Sequence, residues 1–344
     1  MVEQRSYRLR VAEVIAETAD ARTVVLEVPA ELAEQYTYRP GQFLTLRLPG
    51  RDGAALARCY SLSSSPHEGN RLAVTVKRVD EGWGSNWICD NVGVGTELDT
   101  LPPAGTFTPR SLDDDLVLVA AGSGITPVIS IVRAVLARGR GRLVLVYANR
   151  DEQSVIFAAE LRGLAAQYPD RLLVLHWLES VQGRPAQAQL VELARPFSRR
   201  EFFLCGPLPF MDEVTHALRE LGVPRKRVHI ERFVSLTDDP FEAVGSQPAP
   251  VDGATSTVEV ELDGERHTLD WPAGTKLLDL LRDKGLDAPF SCREGACSAC
   301  ACRVTDGEVR MLRNEVLDQT DLDEGYVLAC QALAVSDSVT VTYD

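Results

Sequence analysis

The sequence predicts a multidomain β + α/β + α+β protein, and three observations carry the prediction. Short β segments divided by turn residues fill roughly the first hundred positions. Apolar strands then alternate with helical stretches from Leu116, and five of the eight cysteines fall in the last 53 residues. A chain of 344 residues has room for two or three domains of ordinary size.

Tyr7–Ile15, Thr23–Val28, Phe43–Leu48 and Leu72–Val79 read as strands of an antiparallel barrel. Pro40-Gly41, Pro49-Gly50, Gly69-Asn70 and Pro102-Pro103 supply its turns. A parallel, doubly wound sheet follows. Its strands are Leu116–Ala120, Leu143–Tyr147, Leu172–Trp177, Glu201–Cys205 and Arg227–Glu231. Helices over Pro127–Arg138, Val155–Gln167 and Phe210–Leu221 alternate with them. Residues 236–256 mix Pro, Gly, Ser, Asp and Ala without periodicity and read as an exposed interdomain linker. Beyond it come a hairpin, Thr257–Leu262 and Arg266–Trp271 around Asp263-Gly264, and a short helix, Lys276–Lys284. A cysteine-bearing loop and a final strand, Ser338–Tyr343, complete the chain. The expected domains are 1–111, 112–235 and 257–344, with 236–256 between the last two.

Lys and Arg number 36 against 50 Asp and Glu, a net charge of −14. Phosphate backbones repel such a chain, which argues against a nucleic-acid partner. No apolar run approaches the roughly 18 residues of a membrane span, and the N-terminal MVEQRSYRLR lacks a signal-like apolar core. A cytoplasmic protein with no membrane partner is the expectation. Residues 257–344 hold 8 Lys and Arg against 18 Asp and Glu, most of the acidic excess. That excess serves solubility or a docking face for a basic patch on a protein partner.

Cys292, Cys297 and Cys300 are spaced C-x4-C-x2-C, and Cys330 follows. This is the plant-type [2Fe–2S] spacing, and small residues at 295, 296, 298 and 299 let the loop wrap a cluster closely. A zinc site or inert thiols are the alternatives, but zinc sites more often show two C-x2-C pairs. Cys302 is the leftover, a structural thiol on the emerging strand. The five histidines, at 67, 176, 216, 229 and 267, form no ligand cluster in the sequence, and no Rieske-type C-x-H pair occurs.

Ala120-Ala121-Gly122-Ser123-Gly124-Ile125-Thr126-Pro127 joins a strand to a helix, so a helix N-terminus faces an approachable backbone. Thr126 is the expected cap and Pro127 the expected first helical residue. A G-x-G turn alone is a weak signal. Cys205-Gly206-Pro207, at the end of a later strand, strengthens it by converging on the same ligand edge. Gly139-Arg140-Gly141 reads as a plain turn. In the barrel, Arg58 and Tyr60 alternate onto one face of a strand, with Ser61 next to them. Arginine pairs with pyrophosphate, and a tyrosine ring packs on a flavin. Val76-Lys77-Arg78 and the small-residue turn Gly82-Trp83-Gly84-Ser85 follow.

Taken in order, RCYS, GSGITP, CGP and the cysteine pattern resemble the ferredoxin–NADP reductase-like superfamily, in the branch with a C-terminal plant-type ferredoxin domain. The likeness covers nearly the whole chain and implies a flavin-binding barrel, a nucleotide-binding sheet and a β-grasp ferredoxin domain. RCYSLSSSP, GSNWICDN, YANRDEQSVIFAAEL, HWLESVQG and PFSCREGACSACAC are similar to reductase components of 3-ketosteroid 9α-hydroxylases. Those of phenylacetyl-CoA epoxygenases and other oxygenases are near relatives.

The resemblance implies that Arg58 binds the flavin pyrophosphate, Tyr60 packs on the flavin and Ser61 lies near its reactive nitrogen. Val76, Lys77, Gly84 and Ser85 would complete the cradle. Gly122, Gly124 and Thr126 would receive the NADH phosphates, with Cys205 and Gly206 near the nicotinamide. Glu231 and Phe233 would form the closing segment, unless Phe233 is core packing. Ser61, Cys205 and Glu231 are thus the candidate catalytic groups, and Cys292, Cys297, Cys300 and Cys330 the cluster ligands. Electrons would pass from NADH to FAD, to [2Fe–2S] and to a separate, Rieske-type oxygenase. NADH over NADPH rests on Asp151 and Glu152 after the second strand, against which Arg150 argues, and FAD over FMN rests on the likeness alone. The competing class is a ferredoxin carrier with an inactive flavin domain, against which the intact motifs speak.

Overall fold

The computed structural model describes residues 6–51, 53–67, 71–237, 239–241, 255–262 and 264–343. The first sheet contains β1 (Tyr7–Ala16), β2 (Ala21–Glu27), β3 (Phe43–Pro49), β4 (Ala55–Ser61), β5 (Arg71–Lys77) and β6 (Glu97–Thr100). They are ordered β4-β3-β6-β1-β2-β5. Leu62, just past β4, bridges Val74 of β5, and the Ser63 amide donates to the Ala73 carbonyl. The first and last strands of the order therefore meet, and the sheet closes as a barrel. Helix α1 (Trp83–Asn91) lies between β5 and β6. Gly82 to Ser85 is the start of this helix rather than the expected turn, with Gly82 as its cap residue. The strand expected to reach Val79 stops at Lys77, and Val79 is exposed.

The parallel sheet contains β7 (Leu116–Ala121), β8 (Leu143–Asn149), β9 (Leu172–Leu178), β10 (Glu201–Cys205) and β11 (Val228–Glu231). Its order is β11-β10-β7-β8-β9. Helices α2 (Ile125–Arg138), α3 (Ala158–Gln167), α4 (Glu179–Gln182), α5 (Gln187–Ala194) and α6 (Leu208–Glu220) connect the strands. Every residue of β7 and β8 is buried, which explains why both read as unbroken apolar runs instead of alternating ones. Gly139 and Gly141 form the turn after α2, with their backbones against the Leu112 and Asp114 carbonyls.

The C-terminal sheet contains β12 (Ser256–Leu262), β13 (Glu265–Trp271), β14 (Ala301–Asp306), β16 (Tyr326–Leu328) and β18 (Ser338–Thr342), in the order β13-β12-β18-β14-β16. β12 and β18 run parallel and the other pairs antiparallel. A small pair, β15 (Val309–Met311) and β17 (Ala332–Ala334), and helices α7 (Leu277–Asp283) and α8 (Gln319–Asp323) complete this β-grasp fold. Four leucines of α7, at 277, 278, 280 and 281, bury against Val258, Val260, Val339 and Val341 in one core. Here the β12 burial alternates, because only one face of the sheet meets the helix.

By packing, the described residues form two compact units. One holds Tyr7–Ala54 and Cys59–Phe233, the other Ala55–Arg58 and the chain from Val234 onward. Barrel and parallel sheet thus share a unit, because α2 is stitched to the segment after β4. Ser130 Oγ donates to the Ser64 carbonyl at 2.6 Å, and Arg133 Nη1 to the Ser63 carbonyl at 2.6 Å. Arg133 is held in turn by a two-point ion pair with Glu160, at 2.6 and 2.7 Å. Most of the expected linker, 238 and 242–254, lies outside the described residues. Of its described residues, Leu236 and Phe241 are buried and Thr237 is exposed. Among the described residues no helix is long and apolar enough to cross a membrane.

Candidate functional site

In the parallel sheet the chain winds outward from β7 through β8 to β9, then returns to β10 on the opposite side. The crevice at the C-terminal ends of β7 and β10 is therefore the switch point where such sheets bind ligands. GSGITP and CGP flank it. A Cβ on Gly124 would sit 2.0 Å from the Cys205 carbonyl oxygen, and one on Gly206 3.0 Å from the Ala121 Cβ. Gly124 has an ordinary φ of −62°, so it is glycine for close approach, whereas Gly122, at φ +53°, also needs the left-handed region. The Tyr147 hydroxyl donates to the Gly122 carbonyl from below, at 3.0 Å.

The start of α2 differs from the expectation. Gly124 is the cap residue, and Ile125 begins the helix after a short 3-10 turn over Gly122–Gly124. Thr126 Oγ1 donates backwards to the Ser123 carbonyl at 3.1 Å, so it does not cap the helix amides. Pro127 falls at the third helical position, where its missing N–H removes only a donor that no helical carbonyl would receive. With no side-chain cap, the first-turn amides suit an anionic pyrophosphate.

Lys77 stands beside this turn as well as on the barrel: its Nζ is 4.0 Å from the Cβ position of Gly122 and 3.7 Å from Asp20 Oδ2. Asp20 Oδ2 also holds Arg150 Nη2 at 3.4 Å. Asn149, at the end of β8, is buried.

Cys205 and Glu231 are directly paired in register across β10 and β11. Burial, then the nearby Glu231 carboxylate, push the Cys205 thiol well above its ordinary value. Glu231 keeps some exposed surface, yet desolvation of its carboxyl raises it to about 8, against a weaker opposing pull from Arg232. Phe233 is 50% exposed, which removes core packing as its explanation.

On β4 the expected alternation is present. Ala57 and Ser61 are buried, while Arg58 and Tyr60 on the other face are partly open. Arg58 Nη1 donates to the Ala57 and Leu236 carbonyls at 2.7 and 2.8 Å. Ser85 Oγ accepts from the Val79 amide at 3.1 Å, and Gly84 is buried at the start of α1. Val76 is 1% exposed inside the barrel core, so its side chain offers a ligand no surface. The open strand face, the polar Ser61 and the helix N-terminus at Gly84 suit a flavin with its phosphates.

The cysteine loop fits an iron–sulfur cluster. Cys292, Cys297, Cys300 and Cys330 are all buried. The Cys292 amide reaches Cys297 Sγ at 3.3 Å, the Ala296 amide reaches Cys292 Sγ at 3.3 Å, and the Cys330 amide reaches Cys300 Sγ at 3.5 Å. Neighbouring Cys297 and Cys330 thiols, then the Glu294 and Ala296 amides, hold the Cys292 thiol below its ordinary value, while Cys292 and Cys300 push the Cys330 thiol up. Among the described residues no three His, Cys, Asp or Glu are arranged around a single ion. A two-iron cluster asks instead for two thiolates on each iron. Arg293 and Ser298 adopt φ of +61° and +54°, a conformation that costs non-glycine residues energy. Cys302 is buried in the sheet core, and burial raises its thiol.

Three domain families match along the chain. The oxidoreductase FAD-binding domain matches residues 8–108, the oxidoreductase NAD-binding domain 118–216, and the 2Fe-2S iron-sulfur cluster binding domain 260–335. The Rhodococcus rhodochrous protein "3-ketosteroid-9-alpha-monooxygenase, ferredoxin reductase component" is 54% identical over 98% of this chain and 97% of its own length. The chain belongs to the family of oxygenase ferredoxin reductases. Another relative, a component of the 1,2-phenylacetyl-CoA epoxidase of Escherichia coli K12, is 35% identical over 98% of both chains. The structure of phthalate dioxygenase reductase, described as modular for electron transfer from pyridine nucleotides to [2Fe-2S], superposes with a TM-score of 0.57. It covers 98% of both chains at 25% identity. As an oxygenase reductase the protein is an oxidoreductase that uses NADH, FAD and a [2Fe–2S] cluster, and it serves a separate oxygenase.

Sequence reasoning finds the motif-bearing residues and misses those that place them. Ser130, Arg133 and Glu160 fix α2 on the barrel, Tyr147 supports the Gly122 turn, and Glu294 binds Thr237 and Arg313. None of these carries a spacing signal, because each partner is distant in sequence.

Proposed function

We propose that this protein supplies electrons to a Rieske-type 3-ketosteroid 9α-hydroxylase in steroid degradation. The observation that carries this reading is 54% identity, over nearly the full length, to a reductase component of 3-ketosteroid-9-alpha-monooxygenase. The functional divisions proposed are 1–111 for FAD, 112–235 for NADH and 257–344 for the cluster, with 236–256 between the last two. The protein acts in the cytoplasm.

Bound FAD supplies the conversion of a two-electron donor into single-electron steps. The chain's own residues bind and orient. Arg58 takes the flavin pyrophosphate, Tyr60 packs on the ring system, Ser61 approaches its reacting edge, and Lys77, Gly84 and Ser85 complete the cradle with the Val76 backbone. The Gly122, Gly124 and Thr126 backbone receives the NADH pyrophosphate. Burial favours the protonated forms of Cys205 and Glu231, so this end of the crevice, with Gly206, suits the nicotinamide ring. Phe233 supplies an exposed aromatic ring to cover the flavin. Cys292, Cys297, Cys300 and Cys330 hold the cluster, and the acidic residues of 257–344 form the docking side for the oxygenase.

The test is hydroxylation of a 3-ketosteroid by purified 3-ketosteroid oxygenase and NADH, with and without this protein, alongside cytochrome c reduction. Hydroxylated product matching the NADH consumed is the expected result. Cytochrome c reduction without product overturns the partner and makes the epoxidase the next one to try. Neither reaction, with flavin and cluster both loaded, overturns the reductase reading and favours a carrier with an inactive flavin domain.

A further inference from the structure

Glu294 lies in the cysteine loop between Cys292 and Cys297, and its buried carboxylate is held by Thr237 and Arg313. It is 2% exposed. Its two carboxylate oxygens accept the Thr237 amide at 2.9 and 3.0 Å, and its Oε2 accepts the Thr237 hydroxyl at 2.5 Å. Arg313 Nη1 reaches the same Oε2 at 3.3 Å and Thr237 Oγ1 at 3.2 Å, closing a triangle. The loop packs closely on Arg313, where a Cβ on Gly295 would stand 2.7 Å from the Arg313 carbonyl oxygen. The Glu315 amide also donates to the Gly295 carbonyl at 3.0 Å. A carboxylate buried this deeply persists only when it is paired and hydrogen-bonded, and Thr237 and Arg313 both contribute to that compensation.

Thr237 belongs to the segment that leaves β11, about six residues beyond Glu231. We propose that Glu294 is a positioning residue for electron transfer into the cluster: it fastens the cysteine loop to Thr237, so the loop hangs on a short tether. Six extended residues span at most about 21 Å. The effective concentration of one tethered group at another falls as the tether lengthens, so releasing Thr237 from the loop lowers cluster encounter. The proposal rests on the NADH, FAD and cluster sequence above, and its test separates the two.

The experiment compares the full-length holoprotein with Glu294→Gln, Arg313→Met and Arg313→Lys at equal cluster content. Hydrogen exchange is followed in the peptide carrying Thr237, and anaerobic stopped-flow follows flavin bleaching by NADH and then cluster reduction. Glu294→Gln and Arg313→Met should speed Thr237 amide exchange about tenfold, the loss of a charge-assisted hydrogen bond. They should slow cluster reduction several-fold and leave flavin bleaching unchanged. Arg313→Lys, which keeps the cation, should restore both. If Glu294→Gln loses cluster, Arg313→Met, outside the ligand loop, carries the test. Unchanged Thr237 exchange overturns the clamp, and faster exchange with unchanged cluster reduction overturns its positioning role. Failure of the wild-type flavin to bleach with NADH overturns the reductase reading instead, while the exchange arm still tests the clamp.

Discussion

The nucleotide turn at Gly122–Gly124 and the cysteine loop at 292–300 are both small-residue loops next to a strand, and they are built in opposite ways. In the nucleotide turn Gly122 alone has a positive φ, and glycine at 124 and 206 is demanded by neighbouring backbone. Its helix has no side-chain cap, which leaves its first amides without one. The cysteine loop instead holds Arg293 and Ser298 in left-handed conformations and is pinned by side chains. Arg293 pairs with Asp279 at 2.8 Å, Gln331 donates to the Arg293 carbonyl at 2.8 Å, and Glu294 holds Thr237. Transient ligands are met by backbone with spare donors. A resident cluster is wrapped by a loop whose strain the surrounding contacts offset.

Removing one pin from the resident site gives the largest effect expected. Cys330→Ser should lose the cluster absorbance and cytochrome c reduction while keeping NADH-dependent ferricyanide reduction at the flavin. Retained cluster would break the assignment of Cys330 as a ligand. Gly124→Val should be almost as severe on the other side. Displacing the Cys205 strand end should lower kcat/KM for NADH about a hundredfold, the scale of a 1 Å misplacement, with the cluster spectrum intact.

Gly295→Ala sharpens the contrast, because this glycine has both a φ of +81° and a carbonyl 2.7 Å from its Cβ position. It should destabilise the C-terminal domain by about 1–3 kcal/mol, read as a lower urea midpoint. An unchanged midpoint would mean that the loop has slack which the contacts around it do not suggest.

Glu231 gives a pH test. Its carboxyl titrates near 8 when folded and near 4.5 otherwise, so the folded protein holds a proton that the unfolded chain has lost. Stability from this group is present below about 4.5 and is lost as pH rises toward 8. Glu231→Gln removes that loss, so its Tm advantage over wild type should grow from pH 5 to pH 8. A constant difference would contradict the burial of this carboxyl. The smallest effect expected is at Asp20. A 2′-phosphate would have to draw Arg150 from Asp20, and an exposed pair of this kind is worth under about 1 kcal/mol. Asp20→Asn should therefore raise kcat/KM for NADPH only about two- to fivefold.

How much is legible in the sequence varies with the range of the interaction. The cysteine spacing, RCYS, GSGITP and CGP lie within a few residues each, so the chemistry of each motif can be read locally. The unbroken apolar runs of β7 and β8 and the alternation of β12 likewise announce a sheet covered on two faces and one covered on one. The start of α2 misleads, since Thr126 looks like a cap but donates to Ser123 instead. The resemblance puts Val76 in the flavin cradle, whereas packing buries its side chain. The beginning of the linker looks exposed by composition, whereas Leu236, Thr237 and Phe241 are held by the unit that follows.

By itself, then, the sequence determined the three-part architecture and the cofactor classes, because periodicity and spacing are local properties of a chain. Tertiary structure decided what holds those parts in working positions: Arg133 on the Ser63 carbonyl and Glu160, Gly124 under Cys205, and Glu294 on Thr237. Those contacts join residues tens of positions apart. Short-range hydrogen bonds and steric exclusion set them, and neither leaves a pattern until the chain has folded.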